Sequence, residues 1–239
     1  MSPTVAFFRP DDERSTRATE IIKNLGAEPV SDPMLTIVPT DETPREDADY
    51  TVLTSKTGIE LAAEANWTPG GEIVAIGDPT AEALEAAGYS VDVVPEEFSS
   101  SGVVDALSAD AQGSKIEVAR SDHGSTVLTD GLEALGSYVH ETVLYRLLRP
   151  ESAGDSTELA AEGKLDAACF TSSLTVEHFL AAATERGVHE AALDGLNRGV
   201  VGVIGEPTRQ TAASEGIEVD IVPEEATFEA LARAVVAEV

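Results

Sequence analysis

Hydroxyl-bearing residues at the starts of helical patterns are the first in this chain with chemistry to offer. Thr54-Ser55-Lys56, Gly77-Asp78-Pro79-Thr80, Arg120-Ser121, Thr171-Ser172-Ser173 and Gly205-Glu206-Pro207-Thr208 each follow an apolar, strand-like run. For any one of them N-capping is a sufficient account, because a hydroxyl satisfies orphan amides of the first helical turn. Taken together they describe more. In open parallel sheets, ligands bind at the carboxyl ends of the strands. A helix N-terminus there offers free N–H groups and the positive end of a dipole, which suit an anion. The set therefore points to a polyanionic ligand. Arg9, Arg120, Arg146 and Lys56 stand at strand ends or in an extended segment, where they would make such a site locally neutral or positive.

Other chemistries lack their residues. No G-x-G-x-x-G follows a strand, and no G-x-x-x-x-G-K-[ST] occurs. His123, His140, His178 and His189 have no metal-ligand spacing with one another or with Cys169. Cys169 lies inside an apolar run and reads as a small buried residue rather than a nucleophile. The expectation is an activity with no metal and no organic cofactor.

The elements that carry these turns alternate. VAFF, YTVLT, EIVAIG, VDVVP, KIEVAR, DAACFT, GVVGVIG and VDIVP read as strands, each followed by a helical pattern. Gly26 and Gly136 read as helix stops. Strand then helix, repeated, means parallel sheets wrapped by helices. Two longer extended stretches interrupt the rhythm, Glu28 to Pro39 and Ser137 to Pro150. The polar segments Asp41 to Asp47 and Glu151 to Glu158 follow them and read as linkers.

The alternation is also duplicated. VAIGDPTAEALEAAGYSVDVVPEE, from Val74, is nearly respelled as VGVIGEPTRQTAASEGIEVDIVPEE, from Val201. Gly77 and Gly205 are 128 positions apart, and Thr80 with Thr208, Gly88 with Gly216 and Pro95 with Pro223 keep that offset. An ungapped match of this length marks two copies of one α/β unit. The 239 residues suffice for two domains, and a hydrophobic content of 42% supplies their cores.

Composition excludes several classes. No apolar run approaches the length of a membrane span. The opening MSPTVAFFRPDDERS lacks the basic and apolar regions of a signal peptide. A single cysteine precludes an internal disulfide, which favours the cytoplasm. Forty-four acidic residues against 15 basic ones give a net charge of −29, spread along the chain rather than gathered in a tail. Such a surface repels nucleic acid and anionic lipid. Acid-rich and Lys-poor, it is similar to proteins of salt-accumulating halophiles, where concentrated salt screens self-repulsion.

The motifs, in order, resemble those of the uroporphyrinogen-III synthase family. FFRP with LGAEPVSDPMLTIVP, then YTVLTSKTGIELAAE, VAIGDPTAEALEAAG, ETVLYRLLRP, CFTSSLTVEHF and VIGEPTRQTAASEG are similar to its signatures over nearly the whole chain. The resemblance implies an α/β fold of two flavodoxin-like parallel-sheet domains joined by a two-stranded connector. It implies a discontinuous first domain, residues 1–37 plus 151–239, and a second of residues 41–147, rather than a plain split near residue 113. It implies cyclisation of hydroxymethylbilane, a linear tetrapyrrole with eight carboxylates, with loss of water and inversion of the last pyrrole, without a cofactor. Tyr145 matches the family's proposed catalytic tyrosine. Arg9, Ser55, Lys56, Thr80, Arg120, Ser121, Ser172, Ser173, Gly205 and Thr208 become candidate substrate-binding residues. The expected state is a cytoplasmic monomer that meets hydroxymethylbilane synthase transiently. The alternative from another class is a two-domain protein that closes on a small anion without chemistry.

The charge yields the first prediction. The screening length grows to about 10 Å when salt falls to about 0.1 M. The fold is therefore expected to be lost well below molar salt. A melting temperature that stays flat from about 0.1 to 3 M KCl would refute this.

Overall fold

The computed structural model describes residues 2–239. In chain order the elements are β1 (Thr4–Phe7), α1 (Glu13–Asn24), β2 (Glu28–Ser31), β3 (Thr36–Pro39), β4 (Tyr50–Leu53), α2 (Lys56–Glu64), β5 (Glu72–Ala75) and α3 (Asp78–Ala86). Next come α4 (Ser100–Leu107), β6 (Lys115–Ser121), α5 (Thr126–Ala134), β7 (Tyr138–Leu148), α6 (Asp155–Ala161) and β8 (Ala167–Phe170). The chain closes with α7 (Ser173–Glu185), α8 (His189–Leu196), β9 (Val200–Val203), α9 (Glu206–Ser214) and α10 (Phe228–Glu238). It divides into two compact units, Met1–Thr36 with Leu148–Val239, and Ile37–Leu147.

The first unit holds a four-stranded sheet of order β2-β1-β8-β9, parallel throughout. Its strands β1, β8 and β9 are buried on both faces, as crossover helices require, while the edge strand β2 is partly exposed. Successive side chains point to opposite faces. Ala6, Phe8, Ala168 and Phe170 accordingly enter one core with Val176 and Phe179 of α7. Val5, Phe7, Ala167 and Cys169 enter the other, against Ala18 and Ile22 of α1 and Leu231 and Val235 of α10. Phe8, Phe170 and Phe179 form an aromatic cluster with ring centroids 4.4 to 5.8 Å apart. Cys169 is fully buried, and burial pushes its thiol pKa up to about 12.

The second unit holds a five-stranded sheet of order β3-β7-β6-β4-β5. The same alternation sends Leu53, Ala75 and Ala119 to one face, and Val52, Val74 and Val118 to the other. The chain leaves the first unit just before β3 and returns at the end of β7.

Three sequence readings need correction. VDVVP and VDIVP are not strands; each makes a single bridge, Val74 to Val93 and Gly202 to Ile221. Pro95 and Pro223 follow two residues later, and a proline has no N–H to extend a ladder. Asp92 and Asp220 instead cap the sheets, accepting from the N–H of Ile73 and of Val201, each at 2.8 Å. Glu28 to Pro39 is two strands in different sheets, broken at residues 32–35. The supposed linker Glu151 to Glu158 becomes a helix from Asp155, launched by Gly154 at φ 121°, a left-handed conformation that favours glycine.

That helix is held by Asp32. Its buried carboxylate accepts from the N–H of Gly154 at 3.0 Å, from the N–H of Ser156 at 2.9 Å and from the Ser156 hydroxyl. The partners are 122 or more residues away in sequence. Asp32→Ala leaves buried amides without an acceptor, which costs about 1–3 kcal/mol per unsatisfied group. A lowered urea midpoint at constant salt is the expected result. An unchanged midpoint would show that water replaces the carboxylate freely.

Candidate active site

In the second unit, Tyr145 and Ser55 come together. Tyr145 lies on β7 and is buried, and its hydroxyl donates to Ser55 Oγ at 2.9 Å. A bulge sets this up. The β6–β7 register pairs Arg120 with Val143 but Ser121 with Tyr145, so one extra residue enters β7 there. Leu144 and Tyr145 consequently both reach the same core, which strict alternation forbids. Ser55 follows β4 and caps α2, its Oγ accepting from the Gly58 N–H at 3.1 Å. A Cβ on Gly58 would come within 3.2 Å of that Oγ and 3.4 Å of Leu144 Cδ1, so glycine leaves room for the contact. Ser55 Oγ thus accepts two hydrogen bonds and keeps its own proton to donate.

The neighbouring candidates are held within their unit. Arg120 is buried, paired with Glu141 at 2.9 Å and donating to the Ser125 carbonyl at 2.6 Å. Its charge is neutralised locally, which makes it a structural arginine. Ser121 Oγ accepts weakly from the His123 N–H at 3.4 Å. Burial acts against ionisation of Asp122, but hydrogen bonds from His123 and the Leu147 N–H hold its carboxyl below the usual range. Lys56 is exposed beside Ser55, with Glu60 at 3.5 Å.

In the first unit, Arg9 and Ser172 share an open cleft of about 930 Å³. Ser172 caps α7 by accepting from the Thr175 N–H at 3.3 Å. Ser173 bolts two helix starts together, accepting from Thr211 Oγ1 at 2.8 Å and donating to the Pro207 carbonyl at 3.3 Å. Arg9 stacks its guanidinium 5.2 Å from the Phe228 ring centroid. Burial first, then the like charge of Arg14 and more weakly that of Arg17, lowers the Arg9 pKa, against the opposing pull of Asp12.

Thr80 and Thr208 are both buried in the first turns of α3 and α9. Each follows a proline at the helix start, Pro79 and Pro207. The duplicated glycines differ. A Cβ on Gly77 would meet Phe98 at 2.9 Å, whereas one on Gly205 would meet only Pro207 Cδ at 4.0 Å. Both glycines have extended backbones near φ ±180° that any residue adopts. Packing therefore explains Gly77 and leaves Gly205 free.

The comparisons give this geometry a family. The family model described as uroporphyrinogen-III synthase HemD matches residues 16–233. A relative from Methanothermobacter thermautotrophicus, named putative uroporphyrinogen-III synthase, is 32% identical over 240 residues and 93% of each chain. The chain belongs to the uroporphyrinogen-III synthase family. A uroporphyrinogen-III synthase from Synechococcus elongatus is 26% identical over 79% of this chain and 75% of its own. The fold is that of solved members. A mutant uroporphyrinogen III synthase from Thermus thermophilus superposes with a TM-score of 0.71 at 18% identity, covering 98% and 97% of the chains. The Helicobacter pylori uroporphyrinogen-III synthetase gives 0.67 at 12% identity, over the whole of both.

Of the residues lining the first unit's cleft in this synthase-family chain, the sequence pattern singles out Arg9 and Ser172 and passes over Arg14, Arg17 and Arg233. The spacing of Arg14 and Arg17 places both on one helical face. Nothing local in the sequence brings α10 beside that face. Among the described residues, no cluster of three or more His, Cys, Asp or Glu suits a metal ion. No helix there is long and apolar enough to cross a membrane.

The unequal glycines make a prediction. Gly77→Ala overpacks against Phe98 and is expected to cost about 1–3 kcal/mol. Gly205→Ala is expected to change stability by less than about 0.5 kcal/mol. Denaturant unfolding of both variants checks it, and equal losses would refute the asymmetry.

Proposed function

We propose that this chain is a uroporphyrinogen-III synthase that closes hydroxymethylbilane into a ring, with inversion of the last pyrrole. The observation that carries the reading is the hydroxyl pair Tyr145–Ser55, set at the carboxyl ends of parallel strands in a chain of this family. The reaction needs an acid and a mould. Tyr145 donates a proton to the terminal hydroxyl, directly or through Ser55, and water leaves. The resulting cationic carbon is attacked by the substituted carbon of the last pyrrole, and one carbon–carbon bond forms. That bond makes a spiro intermediate; the older bond from the same ring carbon to its bridging carbon then breaks, the freed cationic carbon bonds to the other α-carbon of the ring, and that carbon loses its proton, which leaves the last pyrrole inverted and returns the proton given up at the start. Neither a metal nor an organic cofactor enters the scheme.

Orientation is the larger demand, because the substrate closes without inversion when left to itself. Holding reacting carbons in place supplies several kcal/mol of barrier reduction, about 7–11 at the limit. The grip falls to Arg9, Ser172, Ser173 and the helix-start amides around Thr80, Gly205 and Thr208, with Lys56 beside Ser55. Helix N-termini contribute about 0.3–1 kcal/mol each toward a carboxylate. Ser121 and Arg120 support the same strand end from within. The family assignment weighs against an anion-binding protein without chemistry.

The remaining features belong to the same proposal. The protein works as a cytoplasmic monomer in a salt-accumulating cell, takes its substrate from hydroxymethylbilane synthase, and contacts neither nucleic acid nor membrane. Its domains are residues 1–37 with 151–239, and 41–147.

Tyr145→Phe tests the acid. General acids contribute about 10²–10⁴-fold, and a shared role through Ser55 leaves part of this intact. A kcat loss of about ten-fold or more is expected, with KM nearly unchanged, since Phe keeps the packing and loses the proton. Product isomers are separated after incubation with hydroxymethylbilane. A kcat within a factor of two of the parent would exclude Tyr145 as the acid.

A further inference from the structure

Acid is abundant in this protein and cation is scarce, so the fate of each arginine is informative. The chain has 11 arginines. Seven of them pair with a carboxylate: Arg14, Arg45, Arg120, Arg149, Arg186, Arg209 and Arg233. Among the described residues, the other four, Arg9, Arg17, Arg146 and Arg198, form no salt bridge, and the first two of these line the first unit's cleft. Arg14 and Arg233 line it too. Four arginines thus line a cleft with two glutamates, Glu225 and Glu229, and with Asp12 paired to Arg14 beside it, in a molecule whose net charge is −29.

The gathering is built by packing. Ala18 and Ile22 of α1 bury against Leu231, Ala232 and Val235 of α10. That contact brings the exposed sides of the two helices, with Arg17 and Arg233, to the rim of one cleft. Phe228 meets Phe7 edge-on at 5.8 Å and carries Arg9 over its face. Concentrating like charge in one place opposes folding; the Arg9 pKa is lowered first by burial, then by Arg14 and, more weakly, by Arg17, with Asp12 acting the other way. An anion seated in the cleft would relieve that repulsion.

We infer that Arg17 and Arg233, converging with Arg9, are positioning residues that hold carboxylate side chains of the tetrapyrrole. This rests on the synthase reading above and names its receptor. Guanidinium suits the task better than ammonium, since its planar fork grips a carboxylate through two parallel hydrogen bonds. In concentrated salt the screening length is about 3 Å, so steering from a distance fails and only contact-range pairs hold the ligand. Arg233 exchanges its exposed Glu229 partner, 3.1 Å away, for the substrate. Exposed i,i+4 pairs of this kind are worth only about 0.3–0.5 kcal/mol, so the exchange is easy.

The test uses the full chain at fixed KCl, with Arg17→Gln, Arg233→Gln and the double variant. Arg17→Lys and Arg233→Lys keep charge without the fork. Arg198→Gln, a cation outside the cleft, is the control. KM and kcat are measured with hydroxymethylbilane, and Kd with uroporphyrin III, an octacarboxylate, by fluorescence. The double Gln variant is expected to raise both KM and Kd about ten-fold or more, the loss of charge-assisted hydrogen bonds. Its kcat should stay within two-fold, with the Lys variants intermediate. A KM and Kd within two-fold of the parent, or equal losses in Arg198→Gln, would overturn the receptor. Should the parent chain bind uroporphyrin III yet fail to cyclise hydroxymethylbilane, the reaction reading falls, and the Kd series still decides the receptor.

Discussion

The buried carboxylate of Asp32 ties together the two ends of an excursion that builds half of this protein. The chain leaves its first unit just after Asp32 and comes back just before Gly154. Without an acceptor there, the amides of Gly154 and Ser156 would be buried with nothing to bond. With it, α6 starts where it must, and the chain proceeds into β8 beside β1. Asp166 repeats the device at the other end of those strands. Its carboxylate accepts from the Thr4 N–H at 2.7 Å, and its own N–H donates to the Thr4 carbonyl at 3.0 Å. Two aspartates thereby align segments more than 120 residues apart in the unit that carries the cleft with Arg9 and Ser172.

Duplication supplied the same frame twice, and the copies have diverged where ligands would approach. Asp92 and Asp220 cap their sheets identically, and Pro79 and Pro207 start equivalent helices. The glycines between them do not correspond in role. Gly77 is covered by Phe98, whereas Gly205 stands open. Divergence extends to charge. The first unit gathers four arginines around one cleft, while the second neutralises Arg120 with Glu141 and displays the Tyr145–Ser55 pair.

The legible part of the site was the part made by local interactions. Ser55 and Ser172 are caps, recognisable because a hydroxyl before a helical run has a local task. Tyr145 came from motif resemblance; its bond to Ser55 depends on a bulge that no pattern of alternation announces. Arg17 and Arg233 were passed over because each looks like an ordinary solvated residue on its own helix. Thr80 and Thr208 are largely buried as residues, which their place at the start of a helical pattern does not announce.

By itself the sequence determined the alternation of strands and helices, the apolar faces that make the sheets parallel and doubly covered, the duplication, and a net charge of −29. These follow from side-chain periodicity and composition, which act over a few residues or as sums. The tertiary structure decided which strands neighbour which, that VDVVP and VDIVP stop at one bridge, and that Glu28 to Pro39 divides between two sheets. It also decided that α10 lies against α1, so that cations far apart in the chain share one cleft. The reason is physical: a buried carboxylate or a complementary apolar face chooses its partner by geometry in space, and sequence separation leaves no local trace of that choice.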